Sequence, residues 1–166
     1  MTTTYSQILI QIVFSVKNRK SLIPQENLEE VFEYMTGIIR NKGQKPIIVG
    51  GVSNHIHILL GMKPGITVSA LVRDIKNNSS NFINQQDWLS EKFSWQNGFG
   101  AFSYGNSQIE PVFNYIKNQA EHHKTKSFRD EFVAFLEKFG VEYEEKHLPQ
   151  SMEIEEETST QEQYHA

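Results

Sequence analysis

The stretch Gly50–Met62, Gly-Gly-Val-Ser-Asn-His-Ile-His-Ile-Leu-Leu-Gly-Met, most constrains what this chain can fold into. It reads as the end of one strand, a tight turn at Ser53-Asn54 and a second strand beginning at His55. Side chains alternate across a strand, so Ile56, Ile58 and Leu60 share one face while His55 and His57 share the other. The isoleucine face requires a core, and the histidine face is expected to stay open. Two imidazoles at i and i+2 can each give one nitrogen to a single metal ion. A bare His-x-His is also satisfied by two half-exposed histidines with no ligand.

The flanking chain supplies the partners for this pair. Tyr5–Val16 is rich in β-branched and aromatic residues and reads as a first strand, leaving through the basic run Lys17-Asn18-Arg19-Lys20. Pro24 opens a helix over roughly residues 24–42, with Leu28, Val31, Phe32, Met35, Ile38 and Ile39 at helical spacing and Gly43 as its stop. Thr67 caps an amphipathic helix over Val68–Asn84 whose polar side carries Arg73 and Lys76. Phe93–Tyr104 reads as a bent strand interrupted by Gly98 and Gly100. Helices over Glu110–His123 and Ser127–Gly140 follow.

The order strand, helix, strand, strand, helix, strand predicts an α+β, ferredoxin-like (RRM-like) antiparallel sheet. Both early helices would cover the isoleucine face, and the added C-terminal helices would carry Tyr115. The histidine face would then be where a single nucleic-acid strand lies. Lys17, Arg19, Arg73 and Lys76 are the candidate phosphate contacts, although each also fits an ordinary wet surface.

Composition removes several classes of function. The 166 residues include no cysteine, which excludes disulfides and thiolate metal sites. No apolar run approaches a membrane span, and the first residues do not resemble a signal peptide, so a cytoplasmic protein with no membrane partner is expected. The net charge of −4 argues at first against nucleic acid. It is unevenly spread: residues 1–141 carry 15 Lys and Arg against 12 Asp and Glu, whereas residues 142–166 carry one Lys and eight Glu. A mildly basic domain over 1–148 and an acidic, mobile tail over 149–166 are therefore expected.

Tyr115 and Gln119 stand four positions apart on one predicted helix and share a face. At about 100° per residue, His122 returns to within about 20° of Tyr115, so it is a possible accessory group or a rival to Gln119. It would equally serve as a cation at a helix C-terminus. A tyrosine phenolate can attack phosphorus, but a pKa near 10 makes it a poor nucleophile without help. A metal held by His55, His57 and the Gln119 amide oxygen would stabilise the charge that develops on the phosphate. Taken alone, Tyr115 also fits a packed aromatic.

These segments together resemble the single-tyrosine transposases of the HUH (His-hydrophobe-His) nuclease superfamily, of the small insertion-sequence and REP-associated type. The resemblance rests on Val13–Arg19, Asn54–Leu60, Trp95–Phe102, Tyr115–Lys124 and Ser127–Phe132. It implies a transposase that cleaves and rejoins single-stranded DNA through a 5′-phosphotyrosine at Tyr115. It also implies Mg²⁺ or Mn²⁺ held by His55, His57 and Gln119, recognition of DNA hairpins, and a homodimer whose active sites are shared between chains. Gly98, Gly100 and Gly105 form a joint through which such an exchange could run. Two rival readings remain. One is a non-catalytic single-stranded nucleic-acid-binding protein of the same fold. The other is a zinc hydrolase, against which stands the lack of a third His or carboxylate at helical spacing.

Overall fold

Residues 3–148 are described by a computed structural model of the chain; the expected tail, 149–166, lies outside the described residues. Four strands, β1 (Leu9–Ser15), β2 (Lys45–Val52), β3 (His55–Gly61) and β4 (Gly100–Tyr104), form one antiparallel sheet in the order β2-β3-β1-β4. With α1 (Leu28–Asn41) between β1 and β2, and α2 (Val68–Asn84) between β3 and β4, this is the expected ferredoxin-like arrangement.

The register sorts the residues into two faces. Ile12 pairs with Ile58 and Phe14 with Ile56, and this face packs under α1 and α2 as the larger core. Val13 pairs with His57 and Ser15 with His55, while Gly50 stands beside His57 on the other side. The helices that cover the first face start and stop as their sequences dictate. Thr67 Oγ1 accepts from Ala70 N–H at 3.1 Å, and Gly43 at φ 75° takes the chain out of α1.

The histidine face is not open, which corrects the expectation. Three more helices, α3 (Ile109–Lys117), α4 (Gln119–His122) and α5 (Phe128–Lys138), lie over it and build a second core on Leu9, Val13, Leu59 and Phe102. The reason is visible in the strands themselves. Leu9, Val13 and Leu59 point the same way as the histidines, and such a face needs cover. His55 and His57 are consequently 0% exposed.

Element boundaries also differ, the first strand beginning at Leu9 and not at Tyr5, and α1 at Leu28 after a 3-10 turn over Gln25–Asn27. The helix expected over Glu110–His123 is interrupted at Asn118, whose backbone at φ −99°, ψ 25° separates α3 from α4. The strand expected over Phe93–Tyr104 is reduced to a single bridge, Val16 with Trp95, followed by a loop and then β4. That loop is braced by Lys76, whose Nζ donates to the carbonyls of Gln96 at 2.9 Å and Gly98 at 2.6 Å.

Candidate metal and nucleophile site

The site is assembled from both sides of the second core. β3 supplies His55 and His57 from the sheet, and the helices above supply Tyr115 (α3), Gln119 (α4), His123 just after α4, and Glu131 (α5). Gly50 lets these layers approach. A methyl group on its Cα would sit 2.8 Å from Ile116 Cγ2 and 2.9 Å from the Ile116 carbonyl oxygen, so only glycine leaves room for α3 there.

Glu131 is the hub. Its Oε1 lies 2.9 Å from His57 Nε2, 3.3 Å from His55 Nε2 and 3.3 Å from His123 Nε2. Its Oε2 accepts from the Tyr115 hydroxyl in a short bond and from Gln119 Nε2 at 3.1 Å. The Gln119 carbonyl oxygen lies 3.0 Å from His55 Nε2 and 3.1 Å from His123 Nε2. Three imidazole nitrogens, a carboxylate and an amide oxygen thus converge on one point, almost wholly removed from solvent.

Outer partners orient the rings. His55 Nδ1 lies 2.7 Å from Asn54 Oδ1, and its ring stacks on Phe128 at 4.0 Å between centroids. His55 Nε2 faces two oxygens, Gln119 Oε1 and Glu131 Oε1, so a proton or a cation is required between them. His57 Nδ1 faces Gln11 Nε2 at 2.9 Å, and Tyr104 donates to Gln11 Oε1 at 2.7 Å.

Electrostatics follow from this packing. Burial lowers His55 to about 4, so the ring is neutral at neutral pH. Burial alone would raise Glu131, but hydrogen bonds from His123, His55 and His57 outweigh it and hold the carboxylate ionised. Burial, then the adjacent Glu131 carboxylate, pushes the Tyr115 phenol well above its ordinary value. The phenol is kept protonated with a base already on its proton. His55, His57 and Glu131 present ligand atoms within 4.8 Å of one another and could hold a metal ion.

The structure brings His55, His57, Tyr115 and Gln119 together as the sequence suggested. In this chain Tyr115 lies against its own histidines, 6.1 Å between the Tyr115 and His57 rings. His122 stacks on the Tyr115 ring at 4.5 Å, and it is His123 that reaches Gln119. Two of the four cations expected to meet DNA stand away from Tyr115. Arg73 and Lys76 belong to α2, across the sheet from it, with Arg73 3.5 Å from Asp74 and Lys76 engaged with the loop. Lys17 is exposed at the exit of β1, and Arg19 lies in a short 3-10 turn.

Glu131 and His123 were missed. No third His or carboxylate stands at helical spacing from the pair, but Glu131 reaches the histidines through space from 74 positions beyond His57. One signal was available: Glu131 interrupts the apolar stripe Phe128, Phe132, Phe135, three after one phenylalanine and four before another. An acid on a buried helix face calls for a partner.

A family model described as "Transposase IS200 like" matches residues 4–119. The match ends at Gln119, so His123 and Glu131 lie beyond it. Among solved structures, the chain is similar to a candidate transposase from Deinococcus radiodurans R1, at 16% identity and a TM-score of 0.55, covering 72% of this chain and 95% of that one. It is also similar to a REP-associated tyrosine transposase bound to a REP hairpin, at 15% identity and a TM-score of 0.55, covering 74% and 73%. At such identities the likeness is one of fold. No curated protein matches.

Proposed function

Because the chain belongs to the IS200-like transposase family, we propose that it cuts and rejoins single-stranded DNA through a covalent bond between Tyr115 and a 5′-phosphate. The observation that carries this reading is the Tyr115 hydroxyl bonded to the same carboxylate that contacts both strand histidines.

Tyr115 Oη attacks phosphorus and releases its proton to solvent, with Glu131 Oε2 orienting the hydroxyl through the bond it accepts. The Tyr115 O–P bond forms, the P–O3′ bond breaks, and the departing 3′-oxygen takes a proton from solvent. Rejoining runs the same exchange in reverse.

His55, His57 and Glu131, with the Gln119 amide oxygen, would hold a divalent ion. Two imidazoles and two oxygens form a borderline-hard set suited to Mn²⁺ or Mg²⁺. When bound, such an ion supplies Lewis-acid stabilisation of the phosphate oxygens. For His57 to offer its Nε2 lone pair, the ring proton must sit on Nδ1 and the Gln11 amide must turn over, presenting Oε1 to Nδ1. The Tyr104 hydroxyl can then accept from Gln11 Nε2 as readily as it now donates to Oε1.

Hairpin recognition is supported by the hairpin-bound transposase of similar fold. A homodimer is also part of the proposal, with each Tyr115 serving its own histidines, the arrangement that the single chain already closes. In the test, Tyr115→Phe is incubated with Mn²⁺ and single-stranded oligonucleotides from the DNA flanking the gene. The covalent protein–DNA adduct should disappear while DNA binding persists. An adduct that survives the substitution contradicts the assignment.

A further inference from the structure

We infer that the single strand reaches Tyr115 through the cleft between α3 and α5, and that Lys126 and Lys138 hold its phosphates on either side of the one being cut. This rests on the reading of Tyr115 as the nucleophile. A cleft of about 350 Å³ is lined by Tyr115 and Glu131 together with Tyr104, Ala134, Lys126 and Lys138, among others. A larger cavity, about 640 Å³, lies along β1, β4 and the segment after α5, but neither Tyr115 nor Glu131 lines it. With His55 and His57 fully buried under the helices, the α3–α5 cleft is an opening that reaches the phenol.

The cleft's charge suits a polyanion. Glu131 is the one carboxylate in its lining, and its charge is already engaged with the imidazoles. Lys126 and Lys138 are exposed and make no ion pair among the described residues, unlike Lys124, which pairs with Glu121 at 2.9 Å. The Lys138 ammonium stands 6.0 Å from the Tyr104 ring and 5.5 Å from the Phe139 ring, which keeps it at the cleft wall.

Position along α5 orders these groups. At about 100° per residue, Lys138 falls within about 20° of Glu131, and Ala134 lies between them on the same side. At about 1.5 Å per residue, Lys138 stands about 10 Å beyond Glu131. Lys126 precedes the capping Ser127 on the other side of Glu131. A strand laid along this face would pass Lys126, then Glu131 and Tyr115, then Lys138, with the small Ala134 allowing its backbone to come close. Lysines placed so would position the substrate and take no part in bond making.

The test compares wild type with Lys126→Gln/Lys138→Gln and Lys126→Arg/Lys138→Arg, using fluorescence anisotropy on labelled oligothymidylate without divalent metal, in the Tyr115→Phe background. Affinity should fall about tenfold in the Gln pair, and the slope of log K against log salt should become shallower by about 0.7 per lysine removed. The Arg pair should restore both, and Mn²⁺ affinity should be the same in all. Wild-type affinity and slope in the Gln pair would overturn the inference, as would no binding by the parent protein. Binding that depends on the lysines, together with no adduct from the chain that keeps Tyr115, would sink the reading of Tyr115 and leave this path standing.

Discussion

Glu131→Gln separates the role of the carboxylate from the shape of its side chain. In the present arrangement Glu131 accepts from Tyr115 and from Gln119 Nε2 at 3.1 Å on one oxygen, and faces three imidazole nitrogens at 2.9–3.3 Å on the other. A glutamine keeps one acceptor and turns the other into a donor. With its carbonyl towards the imidazoles, its NH₂ meets the Tyr115 oxygen, which can accept, and Gln119 Nε2, which cannot. One buried donor left facing a donor costs about 1–3 kcal/mol, so the variant should be weaker but folded. Metal binding should suffer more. Disturbing the outer partners of a ligand typically costs about 10–100-fold, and losing an ionised ligand should reach at least about 100-fold, or about 2.7 kcal/mol. Calorimetric titration with Mn²⁺, on protein whose circular dichroism matches wild type, reads this directly. An affinity within about threefold of wild type would show that Glu131 does not ligate the ion, and the reasoning from its converging contacts would be wrong.

Gly50→Ala places a methyl 2.8 Å from the Ile116 side chain, and overpacking of this kind costs about 1–3 kcal/mol, measurable by urea unfolding. An unchanged midpoint would mean that α3 is not seated against β2 as described. His55 is held at about 4, so between pH 6.5 and 4 the unfolded chain binds a proton that the metal-free fold refuses. The stability it contributes is whole above about pH 6.5 and falls by about 3 kcal/mol on acidification to about pH 4, as urea titrations across that range should show. Mixing Tyr115→Phe with His57→Ala chains should restore no cleavage despite subunit exchange, because each tyrosine serves its own histidines. Recovery would show that α3 docks on the partner.

Much of this arrangement was legible in local pattern. The His-x-His strand, its Ser53-Asn54 turn and the helices α1 and α2 follow from periods of two and 3.6 and from capping residues, all of which act within a few positions. The pairing of Tyr115 with Gln119 was readable for the same reason. The cover over the histidines is not legible in the His-x-His pattern, because the apolar face that demands it, Leu59 with Leu9 and Val13, is assembled from two strands distant in sequence. The role of Glu131 is not legible locally, since its contacts cross from α5 to β3. The interruption at Asn118 changes the angular bookkeeping beyond Tyr115, which is why His123 and not His122 meets Gln119.

The most direct measurement locates the covalent bond. The full chain is incubated with Mn²⁺ and single-stranded oligonucleotides spanning the DNA that flanks its gene, then trimmed with nuclease and protease and read by tandem mass spectrometry. A nucleotide joined through its 5′-phosphate to the peptide containing Tyr115, formed with Mn²⁺ and abolished by chelator, is the predicted result. A phosphotyrosine mapped to Tyr104 or Tyr143, or cleavage of the same DNA with no adduct at any residue, would contradict the account.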